Sequence, residues 1–432
     1  MSPITQPTPF TVGIALDGAG WHPAAWREPE ARPAELFTAA YWTELVETAD
    51  AVGIDYATFE DALRIQSAAP LGERSGADSA SEAPPVPQGD QVSGRLDALL
   101  TASWIAPRSR AIGLIPTVTT THTEPFHVAT ALQTLDHVSE GRGGWQLRIS
   151  AEPAAAAAFG RRPAPEIDIP RVISGEQDPS LDELLDEAAD VAEVARRLWA
   201  SWDTDAVIRD TETGRFLDRD RVHHINFTGE RFSVAGPSIV PRSPQGQLPV
   251  TVLSHSPRVH ALAADAADVV FVTPENDSVR AGASRGLTVA DVVAQVRAAE
   301  RAVDRESRGL EPLRIVADLV VTLDTESETG VERLARLDAV AGEPFESDAH
   351  IVAGSASDIA ELIEQWRLAG IDGVRLRPLT LPGDLRGIAD ELIPALRERG
   401  IVAADTTPRP LRERFGLPAS SPRFVALKEA AA

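Results

Sequence analysis

Short apolar runs alternate regularly with longer amphipathic segments along this chain, and this pattern limits the folds that it can adopt. The apolar runs are rich in Val, Ile and Leu, as expected for strands buried on both faces of a parallel sheet. They are Phe10–Leu16, Ala57–Phe59, Ala111–Val118, Gly144–Ser150, Pro249–Leu253, Val269–Val272, Arg314–Val321 and Gly373–Leu376. A segment with apolar residues three and four apart follows each run, which is the helical period. Eight such units in one chain predict an α/β fold, the (β/α)8 TIM barrel.

A doubly wound open sheet is the alternative fold for strands that alternate with helices. That fold needs fewer units and usually has a glycine-rich turn after its first strand. This chain has no G-x-G-x-x-G sequence after the first apolar run and no Walker A sequence. The barrel is therefore the favoured prediction.

Three segments depart from the alternating pattern of a single barrel domain. Residues 68–94 are rich in Pro, Ser, Gly and Ala and follow the second strand, so we expect a flexible loop or lid at the barrel mouth. Residues 202–248 lie between the fourth helix and the fifth strand, and they contain a predicted hairpin that turns at Thr228-Gly229. The tail, residues 401–432, is expected to pack on the outside of the barrel.

Composition and charge exclude several classes of function. The 432 residues carry a formal net charge of −24, which disfavours binding to nucleic acid. No apolar run approaches the roughly 20 residues of a membrane-spanning helix, and the N-terminus does not resemble a secretory signal. The absence of cysteine excludes disulfides and thiolate chemistry, and it indicates a cytoplasmic protein.

Polar residues cluster where the predicted strands end, which is where TIM barrels carry their functional side chains. In chain order these strand ends carry Asp17 and the loop to His22, then Asp61, Thr117–His127, Ser150, Ser254–Ser256, Thr273 and Arg377. His22 is either a general acid/base or the anchor of a loop between two tryptophans. Asp61 either accepts hydrogen bonds from a ligand or caps the next segment.

The spacing of His122, Glu124 and His127 suggests a metal site at first sight. Pro125 prevents the first two residues from sharing a helical face with the third. We therefore predict no metal at this position.

Several colinear segments resemble the bacterial luciferase-like monooxygenases, in particular the nitrilotriacetate and dibenzothiophene-sulfone monooxygenase branch. The segments are His22-Pro-Ala-Ala-Trp26-Arg27, Phe59-Glu-Asp61, Thr117-Val-Thr-Thr, Glu124-Pro-Phe-His127, Leu135-Asp-His-Val-Ser-Glu-Gly-Arg142, Gly144-Trp145, Leu198-Trp-Ala-Ser-Trp202 and Leu411-Arg-Glu-Arg-Phe-Gly-Leu417. No single segment is specific, but together they span nearly the whole chain in order.

The resemblance implies a (β/α)8 barrel that takes reduced FMN from a separate flavin reductase and uses O2 to oxygenate a small organic substrate. It also implies that the cofactor performs the oxygen chemistry while the protein orients it. By resemblance, Asp61, Thr117, His127 and Ser150 line the flavin ring and ribityl chain, and Ser254 and Ser256 face the phosphate. His22 and His127 are the catalytic candidates, and a dimer or tetramer is expected.

Two departures from the family pattern concern cofactor binding. The family sequence Trp-Asn-x-Val-Thr-Ser is replaced here by Trp145-Gln-Leu-Arg-Ile-Ser150. The phosphate loop, Leu253–Val259, lacks both family glycines, and His255 and Arg258 could replace some of the lost phosphate contacts. Three hypotheses therefore remain: an FMN-dependent monooxygenase, an oxidoreductase that uses the deazaflavin F420, and a non-catalytic paralogue that binds no flavin.

Overall fold

The computed structural model describes residues 9–65, 89–173, 176–403, 406–421 and 424. Most of the expected mouth loop at 68–94 lies outside these residues. Eight parallel strands form a closed barrel, which confirms the predicted (β/α)8 fold. In chain order they are β1 (Thr11–Leu16), β2 (Tyr56–Phe59), β3 (Gly113–Thr119), β4 (Trp145–Arg148), β5 (Val250–Ser254), β6 (Val269–Val272), β7 (Arg314–Leu323) and β8 (Gly373–Pro378). They pair in the order β6-β5-β4-β3-β2-β1-β8-β7, and pairing of β6 with β7 closes the ring.

The main helices pack around the outside of this ring. They are α1 (Ala39–Ala51), α2 (Ala98–Ile105), α3 (Pro125–Val138), α4 (Pro179–Trp199), α5 (Pro257–Ala266), α6 (Val289–Ala302), α7 (Ala356–Leu368) and α8, which runs from Gly383–Gly387 through the π turn Ile388–Leu392 to Ile393–Glu398. No helix among the described residues combines the length and the apolar character needed to cross a bilayer.

The connection from β7 to α7 contains an insertion that the sequence pattern did not reveal. Helix Gly330–Ala341 follows β7, and strand His350–Gly354 then pairs in parallel with the second half of β7. β7 is ten residues long, so it offers a free edge beyond the ring to the additional strand. The loop between this helix and this strand, residues 342–349, contributes residues 343–348 to the wall of the cavity at the barrel mouth.

The connection from α4 to β5 contains two short antiparallel hairpins. The first pairs Val207–Asp210 with Arg215–Leu217, and the second pairs Phe227–Thr228 with Ser233–Val234. The second hairpin turns immediately after Thr228.

The lower half of the barrel interior is apolar and is closed by the C-terminal tail. Leu411, Phe415 and Leu417 pack in one cluster with interior side chains of the strands, which are Tyr56, Ile115, Val269, Phe271 and Val316. We call these three tail residues the plug. A Cβ atom on Gly113 would lie 2.4 Å from the Leu411 side chain, so only glycine at this position leaves room for the plug. The expectation that this part of the tail packs on the outside is wrong, because its apolar side chains fill the N-terminal end of the barrel.

We expect Phe415→Ala to lower the free energy of unfolding by about 3–5 kcal/mol, since it leaves a cavity in a packed core. Phe415 is 1% exposed. Urea unfolding followed by tryptophan fluorescence measures the loss. Phe216→Ala is the matched control, because Phe216 is 65% exposed and its loss should cost no more than about 0.5 kcal/mol. Equal effects of the two substitutions would contradict the plug.

Candidate functional site

A cavity of about 920 Å³ opens at the C-terminal ends of the barrel strands. The floor of the cavity lies at the C-terminal end of the barrel interior. It is polar and includes Glu60, Gln146 and Arg377. An apolar side is formed by strands β4 and β5 with helices α4 and α5, through Leu147, Ile149, Leu185, Val252, Leu253, Val259 and Leu262. The remaining wall combines the β1 loop (Trp21, His22 and Pro23) with residues 343–348 of the insertion after β7.

The floor is held by a carboxylate that lies between two arginines. Asp318 on β7 is fully buried and accepts two hydrogen bonds from Arg375, at 2.7 and 2.5 Å. It also accepts a hydrogen bond from Arg377. Arg375 donates in addition to Gln146 Oε1 at 2.6 Å, and its guanidinium lies over the Phe271 ring. Bidentate, charge-assisted bonds of this kind fix the orientation of each partner, so the Gln146 amide has a defined direction at the cavity.

The second arginine connects the floor to the insertion. Arg377 donates to Asp348 at 2.6 and 3.2 Å and stacks on the Trp21 ring. His255 Nε2 lies 3.2 Å from the same carboxylate, and His255 Nδ1 lies 3.0 Å from Thr273 Oγ1. Burial by itself raises the pKa of a carboxyl group, but the Arg377 charge and the His255 hydrogen bond outweigh it and hold the pKa of Asp348 well below 3.8.

His22 is buried in the cavity wall with both ring nitrogens occupied. Nδ1 accepts from Ala24 N at 3.0 Å, and Nε2 donates to Asp338 Oδ1 at 3.0 Å. Burial lowers the pKa of His22 and outweighs the opposing effect of Asp338. The ring also contacts Phe345. This geometry favours the loop-anchor alternative, because neither nitrogen is left to exchange a proton with a ligand.

Glu60, and not its neighbour Asp61, lines the cavity. Successive residues of a strand point to opposite faces, so Glu60 shares the inward face with Tyr56 and Thr58, and it lies 3.3 Å from Arg148. Asp61 instead accepts a hydrogen bond from Ala98 N at the start of α2. Burial raises the pKa of Asp61 despite this bond. The geometry therefore matches the capping alternative for Asp61.

Thr117 and Ser150 lie close to the cavity without lining it. Thr117 pairs in register with Gln146, so it faces the barrel interior, and its hydroxyl has no hydrogen-bond partner among the described residues. Ser150 is buried at the end of β4, where its N–H donates to Thr121 Oγ1 at 3.0 Å. A flavin contact at either position stays a prediction from the resemblance.

The residues expected to face a phosphate are engaged with the protein itself. The Ser254 hydroxyl lies 2.6 Å from His260 Nδ1, and Ser256 caps α5 by accepting from Val259 N. Arg258 forms an ion pair with Asp182 on α4 at 2.5 Å.

Two histidines of the β3 loop and α3 lie apart from the cavity lining. His127 is exposed on the first turn of α3. His122 is buried with a positive φ of 72°, stacks on Phe159, and has a pKa lowered by burial and by Arg162. Among the described residues no group of three or more His, Asp or Glu side chains could hold a metal ion.

Arg377 is among the polar residues at the predicted strand ends, whereas Glu60, Gln146 and Asp348 are not. The alternation of side chains along β2 and β4 could have identified Glu60 and Gln146, because each lies an even number of residues from a position that faces the barrel interior. No local signal identifies Asp348, whose arginine partner is 29 residues away.

Residues 19–373 match the model of the family described as luciferase-like monooxygenase. The chain belongs to this family. It is 28% identical to the N-acetyl-S-(2-succino)cysteine monooxygenase of Bacillus subtilis (strain 168), over 94% of this chain and 96% of that protein. It is 26% identical to nitrilotriacetate monooxygenase component A of Aminobacter aminovorans, with the same coverage. The resemblance inferred from the colinear segments is therefore confirmed, and with it an oxidoreductase of the monooxygenase type.

Solved structures agree on the fold. The EDTA monooxygenase from Chelativorans sp. BNC1 superposes with a TM-score of 0.72 at 21% identity, covering 95% of this chain and 99% of that one. The F420-dependent tetrahydromethanopterin reductase from Methanopyrus kandleri superposes less closely, with a TM-score of 0.54 at 15% identity.

We expect Asp348→Asn to lower the free energy of unfolding by about 1.5–3 kcal/mol at pH 7, because it removes the charge that Arg377 and His255 share, while Arg377 keeps its pairing with Asp318. The pKa of Asp348 is depressed in the folded state, so its ionised form stabilises the fold above pH 3.8. That contribution is lost as the pH falls below 3.8. The difference between wild type and variant should therefore stay constant from pH 8 to about 5 and shrink at lower pH.

Urea unfolding at a series of pH values makes this comparison. The exposed Asp390→Asn on the π turn is the control and should follow wild type throughout. A difference that does not change with pH would contradict the ionic role of Asp348.

Proposed function

We propose that this protein is the oxygenase component of a two-component flavin-dependent monooxygenase. It takes reduced FMN from a separate NAD(P)H:flavin reductase and uses O2 to oxygenate a small organic substrate in the cavity at the barrel mouth. The observation that carries the proposal is this cavity, with its fixed polar floor and apolar side, in a chain that belongs to the luciferase-like monooxygenases. The reduced flavin, when bound, supplies the electrons that activate O2.

The cavity suits the ring system of a flavin. Its volume lies at the upper end of the usual range for small-molecule sites, roughly 300–1,000 Å³. Gln146 Nε2 lies 3.5 Å from Glu60 Oε1, which leaves the second N–H of this amide and further lone pairs of the carboxylate for ring C=O and N–H groups. The leucine-rich side suits an apolar ring edge. Oxygen chemistry at a reduced flavin requires protection from water, and the two anchored walls enclose part of the cavity.

The parts of this chain have separate roles in the proposal. Arg375 and Asp318 hold Gln146 in one orientation, so the floor is organised before the ligand arrives. Thr117 and Ser150 remain candidates for flavin contacts beside this floor. His22 holds the wall formed by the insertion. His127 is exposed and lies outside the cavity lining, so it has no role in turnover in this proposal.

Two alternatives compete with this proposal. An F420-dependent oxidoreductase is the weaker one, because the named relatives with coverage above 90% are monooxygenases. A non-catalytic paralogue gains some support from the engaged side chains around Ser254 and Arg258. Flavin binding and oxygen consumption separate the three.

We expect the purified protein to bind photoreduced FMN in an anaerobic titration, and Gln146→Leu to weaken that binding by roughly tenfold to a hundredfold through loss of a buried polar contact. Gln365→Leu, on an exposed position of α7, should bind like wild type. Circular dichroism checks that each variant is folded. A wild-type protein that binds no reduced flavin, and consumes no oxygen with any reductase, would favour the non-catalytic paralogue.

We expect His127→Ala to keep oxygen consumption within about twofold of wild type, because exposed side chains away from a site have small effects. The assay couples the protein to an NAD(P)H:flavin reductase and measures oxygen uptake with a fixed supply of reduced FMN. A complete loss of turnover in a folded His127→Ala protein would instead assign His127 to the catalytic machinery.

A further inference from the structure

Carboxylates neutralise the cations on the cavity wall. Each arginine in the lining has an acidic side chain within ion-pair distance: Arg148 with Glu60 at 3.3 Å, Arg280 with Glu346 at 3.7 Å, and Arg377 with Asp348 at 2.6 Å. Glu343 adds a fourth carboxylate to the lining. The described wall therefore carries four acidic and three basic side chains, and it attracts no anion by net charge.

The N-terminus of α5 is the usual kind of place for a phosphate beside such a cavity, because helix N-termini present free N–H groups. Two of these groups are missing or used here. Pro257, the first residue of the helix, has no N–H, and Val259 N donates to Ser256 Oγ at 3.4 Å.

The side chains around this helix end are also occupied. Arg258 is held by Asp182 through Nε at 2.6 Å and Nη2 at 2.5 Å. The Ser254 hydroxyl is hydrogen-bonded to His260 Nδ1. A phosphate carries a charge of about −1.5 to −2 at neutral pH, so the Asp182 carboxylate would repel it while withholding the guanidinium.

We infer that this site binds a flavin through its ring system and holds no phosphate, so that it takes riboflavin about as well as FMN. The inference rests on the proposed function, since it concerns the same cavity. In this inference, the floor at Gln146 and Glu60 and the apolar side of the cavity recognise the flavin ring. Ser254, Ser256 and Arg258 do not contact the ligand.

Paired anaerobic titrations test this inference, with photoreduced FMN and photoreduced riboflavin, each at 50 and 500 mM NaCl. We expect the two dissociation constants to agree within about threefold and to change little with salt, because no ion pair to phosphate forms. FMN binding at least about thirtyfold tighter than riboflavin, with the advantage lost at high salt, would overturn the inference and leave the proposed function intact. Failure of both flavins to bind would overturn the proposed function itself.

Asp182→Asn provides a gain-of-binding test. It removes the carboxylate that holds Arg258, so the freed guanidinium should favour FMN over riboflavin by about tenfold at low salt. Asp186→Asn is the matched control, because it removes the same charge from an exposed position of α4 one turn away. Equal flavin preference in the two variants would contradict the view that Asp182 withholds Arg258 from the phosphate.

Discussion

The ion pairs of Asp318 with two arginines inside the barrel are the interaction on which the site depends. Arg375 and Arg377 lie two residues apart on β8, so both side chains point inward. Two buried cations are costly unless a carboxylate pairs with them, and Asp318 on the neighbouring strand meets both. Asp318 is the carboxylate that both arginines share, and it therefore marks the level at which the polar floor of the cavity begins above the apolar cluster.

The same network joins the core to the insertion after β7. Arg377 also donates hydrogen bonds to Asp348, which lies just before the additional strand His350–Gly354. A second anchor joins the insertion to the β1 loop, where His22 donates to Asp338 and Asp338 also accepts from Phe345 N at 2.8 Å. The cavity wall is therefore fixed at two points by charged or polar bonds. The position of the insertion at the cavity therefore follows from contacts made within the barrel.

The barrel could be predicted because its signals are local: apolar runs of strand length, amphipathic helices and their order. The insertion carried a usable signal as well, since Thr329 and Glu332 form a capping box at the start of helix Gly330–Ala341. It was missed because eight strand–helix units already completed a barrel. The plug of the tail was missed for a different reason. Leu411 and Phe415 find their partners on distant strands, and no periodicity within the tail reveals that contact.

The candidate site was predicted by region more successfully than by residue, and the reason is the period of two along a strand. A polar residue at a strand end faces either the cavity or the surrounding helices. It faces the cavity when it lies an even number of residues from an inward-facing residue of the same strand. Glu60 and Asp61 are equally polar neighbours, yet one lines the cavity and the other caps α2. The sequence also does not show which arginines form ion pairs. An arginine beside the barrel mouth can bind a ligand only if no carboxylate of the protein is paired with it. In a chain with 65 acidic and 41 basic side chains, most arginines can find such a partner, so recognition at this cavity rests on shape, apolar surface and oriented dipoles.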